Sequence, residues 1–144
     1  MFGKKISTAL LMGAFAMNFS ALAQDNLGAA LDAGAKKLNG GAFNKELAGK
    51  TVSGTNKNGP FRLEFLDGGK LAGNFSASHG GLHPNLSGTW IADESGKVCM
   101  EYVYGVRKNR EAYCRFYFKQ GDQYFTSNSD SDRATWALPV QVAK

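Results

Sequence analysis

The chain has 144 residues, with 17 Lys and Arg against 12 Asp and Glu for a formal net charge of +5, and only two cysteines and two histidines. That length supports one domain with a modest core and not two. The basic residues are dispersed except at 107–110, which is too small a bias for a nucleic-acid surface, and two histidines with two cysteines make no convincing zinc set.

Taken in chain order, the first signal is a leader. Lys4 and Lys5 precede a largely apolar run over 6–19, and Ala21-Leu22-Ala23 supplies the small-x-small pattern of a cleavage site, so residues 1–23 are expected to be removed before Gln24. The apolar run falls short of the roughly 20 residues a membrane span needs, and Ser7, Thr8, Gly13 and Asn18 interrupt it. No stable membrane anchor is therefore expected after cleavage, and the absence of a cysteine beyond the cleavage motif argues against a lipoprotein. The protein is expected to be periplasmic or secreted.

Residues 24–48 form a predicted helical segment. Leu27, Leu31, Ala35 and Leu38 fall at helical spacing over 26–39, with Asp25 as N-cap and Gly40-Gly41 as the stop. Gly28 and Gly34 weaken such a helix by up to about 1 kcal/mol each, so it needs a surface to pack on. Residues 42–47 add a further turn.

From Gly49 the pattern changes to short β-branched and aromatic runs separated by turn residues. Strands are predicted at 50–55, 61–66, 70–76, 86–92, 97–104, 111–119, 123–127 and 135–140, with reversals at 56–60, 67–69, 93–96, 105–110 and 120–122. About eight strands in about 90 residues point to a mainly β domain over 49–144, an antiparallel up-and-down barrel or a strongly curved sheet. Val52-Ser53-Gly54-Thr55 and Leu86-Ser87-Gly88-Thr89 repeat one pattern with glycine inside a strand. Such a glycine marks a bulge or barrel corner, or the repeat is a chance product of common residues. The stretch 128–133 has no apolar residue and reads as an exposed loop; Asp130 and Asp132 lack the remaining ligands of a calcium loop.

Cys99 and Cys114 flank a predicted hairpin. A reversal between Val106 and Arg107 sets the two cysteines opposite one another, with Met100 facing Tyr113, Val98 facing Arg115 and Tyr102 facing Glu111. An even pair in an oxidising compartment is expected to be a disulfide. Closing a loop of about 15 residues is worth roughly 3 kcal/mol in the chain-entropy model. Redox enzymes instead place their cysteines close together at a helix start.

Gly80, Gly81 and Pro84 keep His79 and His83 off a helix. Two imidazoles with Asn85 nearby fit a metal or an anion, but no carboxylate or cysteine close in sequence completes a site, so the segment reads as an exposed loop. No metal and no cofactor is implied. Glu64, Glu101 and Glu111 lie on predicted strands, where an inward carboxylate needs a partner or a function. No Gly-x-Ser-x-Gly nucleophile elbow occurs.

Aromatic residues are the most suggestive feature. Tyr102, Tyr104, Tyr113 and Tyr117 share one face of the hairpin while Phe116 and Phe118 share the other. A tyrosine-lined lumen offers apolar walls plus hydroxyls that orient a ligand. The alternative is a lumen filled by its own side chains, with the helix or a partner covering the outer face.

The runs Gly49-Lys50-Thr51-Val52-Ser53-Gly54-Thr55, Ser87-Gly88-Thr89-Trp90, Gly96-Lys97-Val98-Cys99 and Tyr113-Cys114-Arg115-Phe116-Tyr117 resemble an uncharacterised family of small exported proteobacterial proteins. The resemblance spans most of the chain beyond the leader. It implies a secreted bacterial protein with a cysteine-clasped β domain and no catalytic residues. Gly88-Thr89-Trp90 is also similar to the Gly-x-Trp of lipocalins and to strand openings of avidins, although three predicted strands precede it here.

Together these features lead to an exported, non-catalytic barrel that binds a small apolar or amphipathic ligand or an envelope component, with Trp90, Tyr102, Tyr104, Tyr113 and Trp136 as candidate ligand contacts. A rival is a protein-interaction module, an inhibitor or effector, that docks through Arg107, Lys108 and Arg110 on an acidic partner. A small hydrolase using Glu101 or His79 ranks last.

Overall fold

A computed structural model describes residues 26–76 and 84–144. The expected leader, Asp25, His79 and His83 lie outside the described residues. The elements are α1 (Leu27–Asp32), β1 (Lys36–Lys37), α2 (Gly40–Glu46), β2 (Thr51–Asn56), β3 (Gly59–Leu66), β4 (Lys70–Phe75), β5 (Asn85–Ala92), β6 (Val98–Tyr104), β7 (Asn109–Gln120), β8 (Gln123–Ser127) and β9 (Leu138–Ala143).

The N-terminal segment does not form the single helix over 26–39 that its apolar spacing predicts. Asn26 is the N-cap of α1, its side chain accepting from the Ala29 N–H at 2.8 Å. Gly34 then takes φ 101°. The Gly34 N–H donates to the Leu31 carbonyl at 3.0 Å and the Ala35 N–H to the Ala30 carbonyl at 2.9 Å. This pair of bonds is a Schellman stop, and it releases the chain into β1. Gly40-Gly41, expected as a stop, opens a second helix instead, because the Asn39 side chain accepts from the Ala42 N–H at 2.8 Å and caps α2. Each helix packs on a different part of the barrel.

The strands pair antiparallel in the order β2 to β9, and β8 and β9 bridge β7 back to β2, so eight strands close into a barrel. The hairpin register is the expected one: Cys99 lies opposite Cys114, Met100 opposite Tyr113, Tyr102 opposite Glu111 and Val98 opposite Arg115. The cysteines are joined with their Cα atoms 4.0 Å apart. The last strand runs Leu138–Ala143 rather than 135–140. Thr135 belongs to the preceding loop, where its carbonyl accepts from the Leu27 N–H at 2.8 Å.

β7 is long because it serves two sets of neighbours. Residues from Asn109 to Arg115 pair with β6, whereas Phe116 to Gln120 pair with β8 on the other edge. Once β6 has ended, β1 takes the vacated edge opposite Phe118 and Lys119. The closing strands therefore bridge only one half of the barrel. The β2–β9 ladder stops at Ser53–Gln141, just before Pro139, which has no N–H to continue it. Both glycines of the repeated strand pattern mark close approaches. A Cβ on Gly88 would run into the Glu101 carbonyl, and one on Gly54 would lie 2.9 Å from the Phe61 ring.

Two apolar clusters follow from this layout. Val52, Leu63, Phe65, Leu71, Leu86, Met100, Tyr102 and Tyr117 point inward, and α2 inserts Phe43 and Leu47 among them. Phe43 is fully buried; its ring centroid is 5.2 Å from those of Phe65 and Tyr117 and 5.6 Å from that of Trp90. α2 is a plug. The second cluster lies outside, where Leu27 and Ala30 of α1 cover Phe118 and Phe125 with Phe116 alongside. The outward phenylalanines of the hairpin are thus covered by the chain's own helix. The loop over 128–135 holds that helix: the Arg133 Nη2–H donates to Asp32 at 2.6 Å, and the Gly28 N–H donates to the Arg133 carbonyl at 2.9 Å. Asp130 pairs with Lys37 at 2.7 Å.

Two outcomes follow. Phe43→Ala should destabilise the protein by about 3–5 kcal/mol in urea unfolding, as for a fully buried aromatic, whereas Phe75→Ala, in the half without a plug, should cost less. Replacing both Cys99 and Cys114 with serine should remove roughly 3 kcal/mol, read from the urea midpoint against the oxidised parent.

Candidate functional site

With one end plugged, the described residues leave the other half of the lumen unfilled. It contains a cavity of about 820 Å³ bordered by Asn56, Phe61, Phe75, Tyr102, Glu111 and Arg115, with Leu63, Leu86 and Met100 among the residues at its apolar walls. That volume lies within the range of small-molecule pockets, about 300–1,000 Å³. Strand alternation puts these side chains there: 61, 63 and 65 face inward on β3, and 111, 113, 115 and 117 do so on β7. The cavity sits beyond the ends of the β7–β8 and β2–β9 ladders. At that height β7 pairs only with β6, and Gly54 to Asn56 pair only with β3.

Three of the candidate contacts meet on its wall. The Tyr102 hydroxyl donates to Glu111 Oε2 at 2.9 Å and the Tyr104 hydroxyl to Oε1 at 3.4 Å. The Tyr102 ring lies edge-on to Tyr113 with centroids 5.8 Å apart, and Phe75 packs against Tyr104 at 4.9 Å. Burial, then the neighbouring Tyr113 and Glu111, push the Tyr102 phenol well above the ordinary tyrosine value. Burial likewise raises Tyr113 and, with the Glu111 charge, Tyr104.

The two tryptophans sit elsewhere. Trp90 belongs to the plugged end, where it packs on Phe43 and Phe65 and its Nε1–H donates to the Leu66 carbonyl at 3.0 Å. Trp136 is 40% exposed and meets the cavity only through Arg115, whose guanidinium carbon lies 5.3 Å from its ring. No family model, curated protein or solved structure matches this chain.

Arg107 and Lys108 occupy the exposed tip of the β6–β7 hairpin and form no ion pair among the described residues, while Val106 beside them is 99% exposed. Arg110 differs: it pairs with Glu101 at 2.6 Å on the outer face. That pairing places Glu101 outside the cavity, and Glu64 is likewise paired, with Arg62 at 2.6 Å. The carboxylate in the cavity is Glu111. Among the described residues no group of His, Cys, Asp and Glu is placed to hold a metal ion.

Sequence reasoning passed over Arg115, Phe61 and Phe75 as lining residues. For Arg115 the signal was present, since it follows Tyr113 by two positions on the inward face. For Phe61 and Phe75 it was not, because their alternation does not say which half of the lumen is empty.

All five tyrosines of the chain lie at 102, 104, 113, 117 and 124, and all five are raised, in each case first by burial. A phenol whose folded value is raised contributes stability below the unfolded value of about 10, and that stability is lost as pH rises above it. Phenolate absorbance should thus develop at higher pH in the native protein than in concentrated guanidinium, where all five should titrate near 10; coincident titrations would contradict the enclosed wall.

Proposed function

We propose that the protein is exported and works without catalysis, holding a small amphipathic ligand in the open half of its barrel. The observation that carries this reading is the cavity of about 820 Å³ in a barrel plugged at its opposite end. A lumen closed at one end and open at the other admits a ligand from one side only. Its apolar walls favour burial of a hydrocarbon or ring, while the Tyr102, Tyr104 and Glu111 hydrogen-bonding groups fix a polar end. The Cys99–Cys114 bridge supports an oxidising compartment. No described helix is long and apolar enough to cross a membrane.

A second reading has its own observation. Val106 stands fully exposed beside Arg107 and Lys108, which form no ion pair among the described residues, so the hairpin tip presents an apolar side chain and two cations to an acidic partner. Both readings place the working surface at the open end.

The protein isolated gently from its native cell envelope should begin at Gln24. In native mass spectrometry it should carry a small molecule released on collisional activation. Leu86→Trp, which fills the lumen, should lose that adduct while keeping its circular dichroism. A ligand-free native spectrum would overturn the binding reading and leave the tip as the working surface.

A further inference from the structure

Resting on the binding reading above, we propose that the ligand is an amphipathic anion, its charged head held by Arg115 and its apolar body lying along Phe61, Leu63, Phe75 and Leu86. Arg115 borders the cavity from the inward face of β7. Arg62, Arg110 and Arg133 each pair with a carboxylate at 2.6 Å. Arg115 has no such partner among the described residues. Its guanidinium carbon lies 4.3 Å from the Tyr113 ring centroid and 5.3 Å from that of Trp136. One bond, from Nη1 to the Cys114 carbonyl at 3.0 Å, uses part of its donor set.

Guanidinium carries five N–H donors in a fixed plane that matches a carboxylate or phosphate edge. Stacking on aromatic rings sets that plane without consuming the donors. The result is a half-buried cation, oriented in advance and lacking an anion, at the border of an apolar lumen.

Glu111 is the other charge bordering the cavity, and it favours a cationic ligand less than its sign suggests. Its two oxygens already accept from Tyr102 and Tyr104, and the side chain faces solvent. It lies four positions along the strand from Arg115, about 13 Å from Cα to Cα at the usual rise, so the two charges mark different places on the wall.

Three probes with one alkyl chain separate the possibilities: decanoate, 1-decanol and decyltrimethylammonium, each titrated into the disulfide-bonded protein by tryptophan fluorescence. Decanoate should bind about tenfold or more tighter than decanol, the difference a charged hydrogen-bonded head supplies, and the ammonium should bind weakest. Arg115→Gln should remove the decanoate preference, bringing decanoate to the variant's own affinity for decanol, while its circular dichroism stays that of the parent. Equal binding of all three probes, or an unchanged decanoate preference in Arg115→Gln, overturns the anionic head and leaves the binding reading standing. Preference for the ammonium overturns it in favour of Glu111. Failure of all three to bind overturns the binding reading itself.

Discussion

The ring of Phe43 enters the barrel from a helix that precedes all eight of its strands, and the interior is arranged around it. Phe65, Trp90 and Tyr117 each lie within 5.6 Å of it, centroid to centroid. Glu46 at the end of the same helix locks the plug to the wall, accepting from Lys119 at 2.8 Å and from the Tyr124 hydroxyl at 2.7 Å. These partners hold its carboxyl below the usual value, so the lock weakens as pH falls through the acid range. A barrel of this size can fill its lumen with strand side chains alone. Here a segment outside the barrel fills one half, and the strands' own large residues are free to form a wall around the other.

The empty half is also the half where the ladder is incomplete, and one residue type accounts for much of that. Pro139 cannot donate to β2, and the chain before β9 departs into the loop that anchors α1. β7 meanwhile extends past the end of β8, held on its other side to β6 by the Cys99–Cys114 bridge. The disulfide's structural effect thus bears on the site. It ties down the part of β7 that has a neighbour on one edge only, the part carrying Glu111, Tyr113 and Arg115.

The site that results joins two kinds of group that rarely share a wall without a purpose. Aromatic rings packed at 4.9–6.3 Å give an apolar surface, and a carboxylate and a guanidinium interrupt it without pairing to each other. The two charges are held in different ways, Glu111 by phenol hydrogen bonds and Arg115 by ring faces and one bond to a carbonyl. Polar ends placed on an apolar lumen orient whatever enters it.

Much of this was legible from local pattern. Period-two alternation and turn chemistry located the strands, because a strand's two faces must differ when one faces a core. The cysteine register followed from a hairpin reversal between Val106 and Arg107. That Tyr102, Tyr104, Tyr113 and Tyr117 share one face, and Phe116 and Phe118 the other, was legible in the sequence; that the tyrosine face looks inward was not. The N-terminal apolar spacing misled, since leucines at helical intervals do not reveal that Gly34 interrupts them or that Asn39 caps a second helix. Trp90 and Tyr102 looked alike in sequence, yet Trp90 packs on the plug and Tyr102 lines the cavity. Only the tertiary structure decided which half of the barrel α2 would plug, where Pro139 would leave the closure incomplete, and that Arg115 would stand beside Tyr113 and Trp136 without a carboxylate. Those outcomes depend on contacts between residues far apart in the chain, whereas local periodicity records only which way each side chain points.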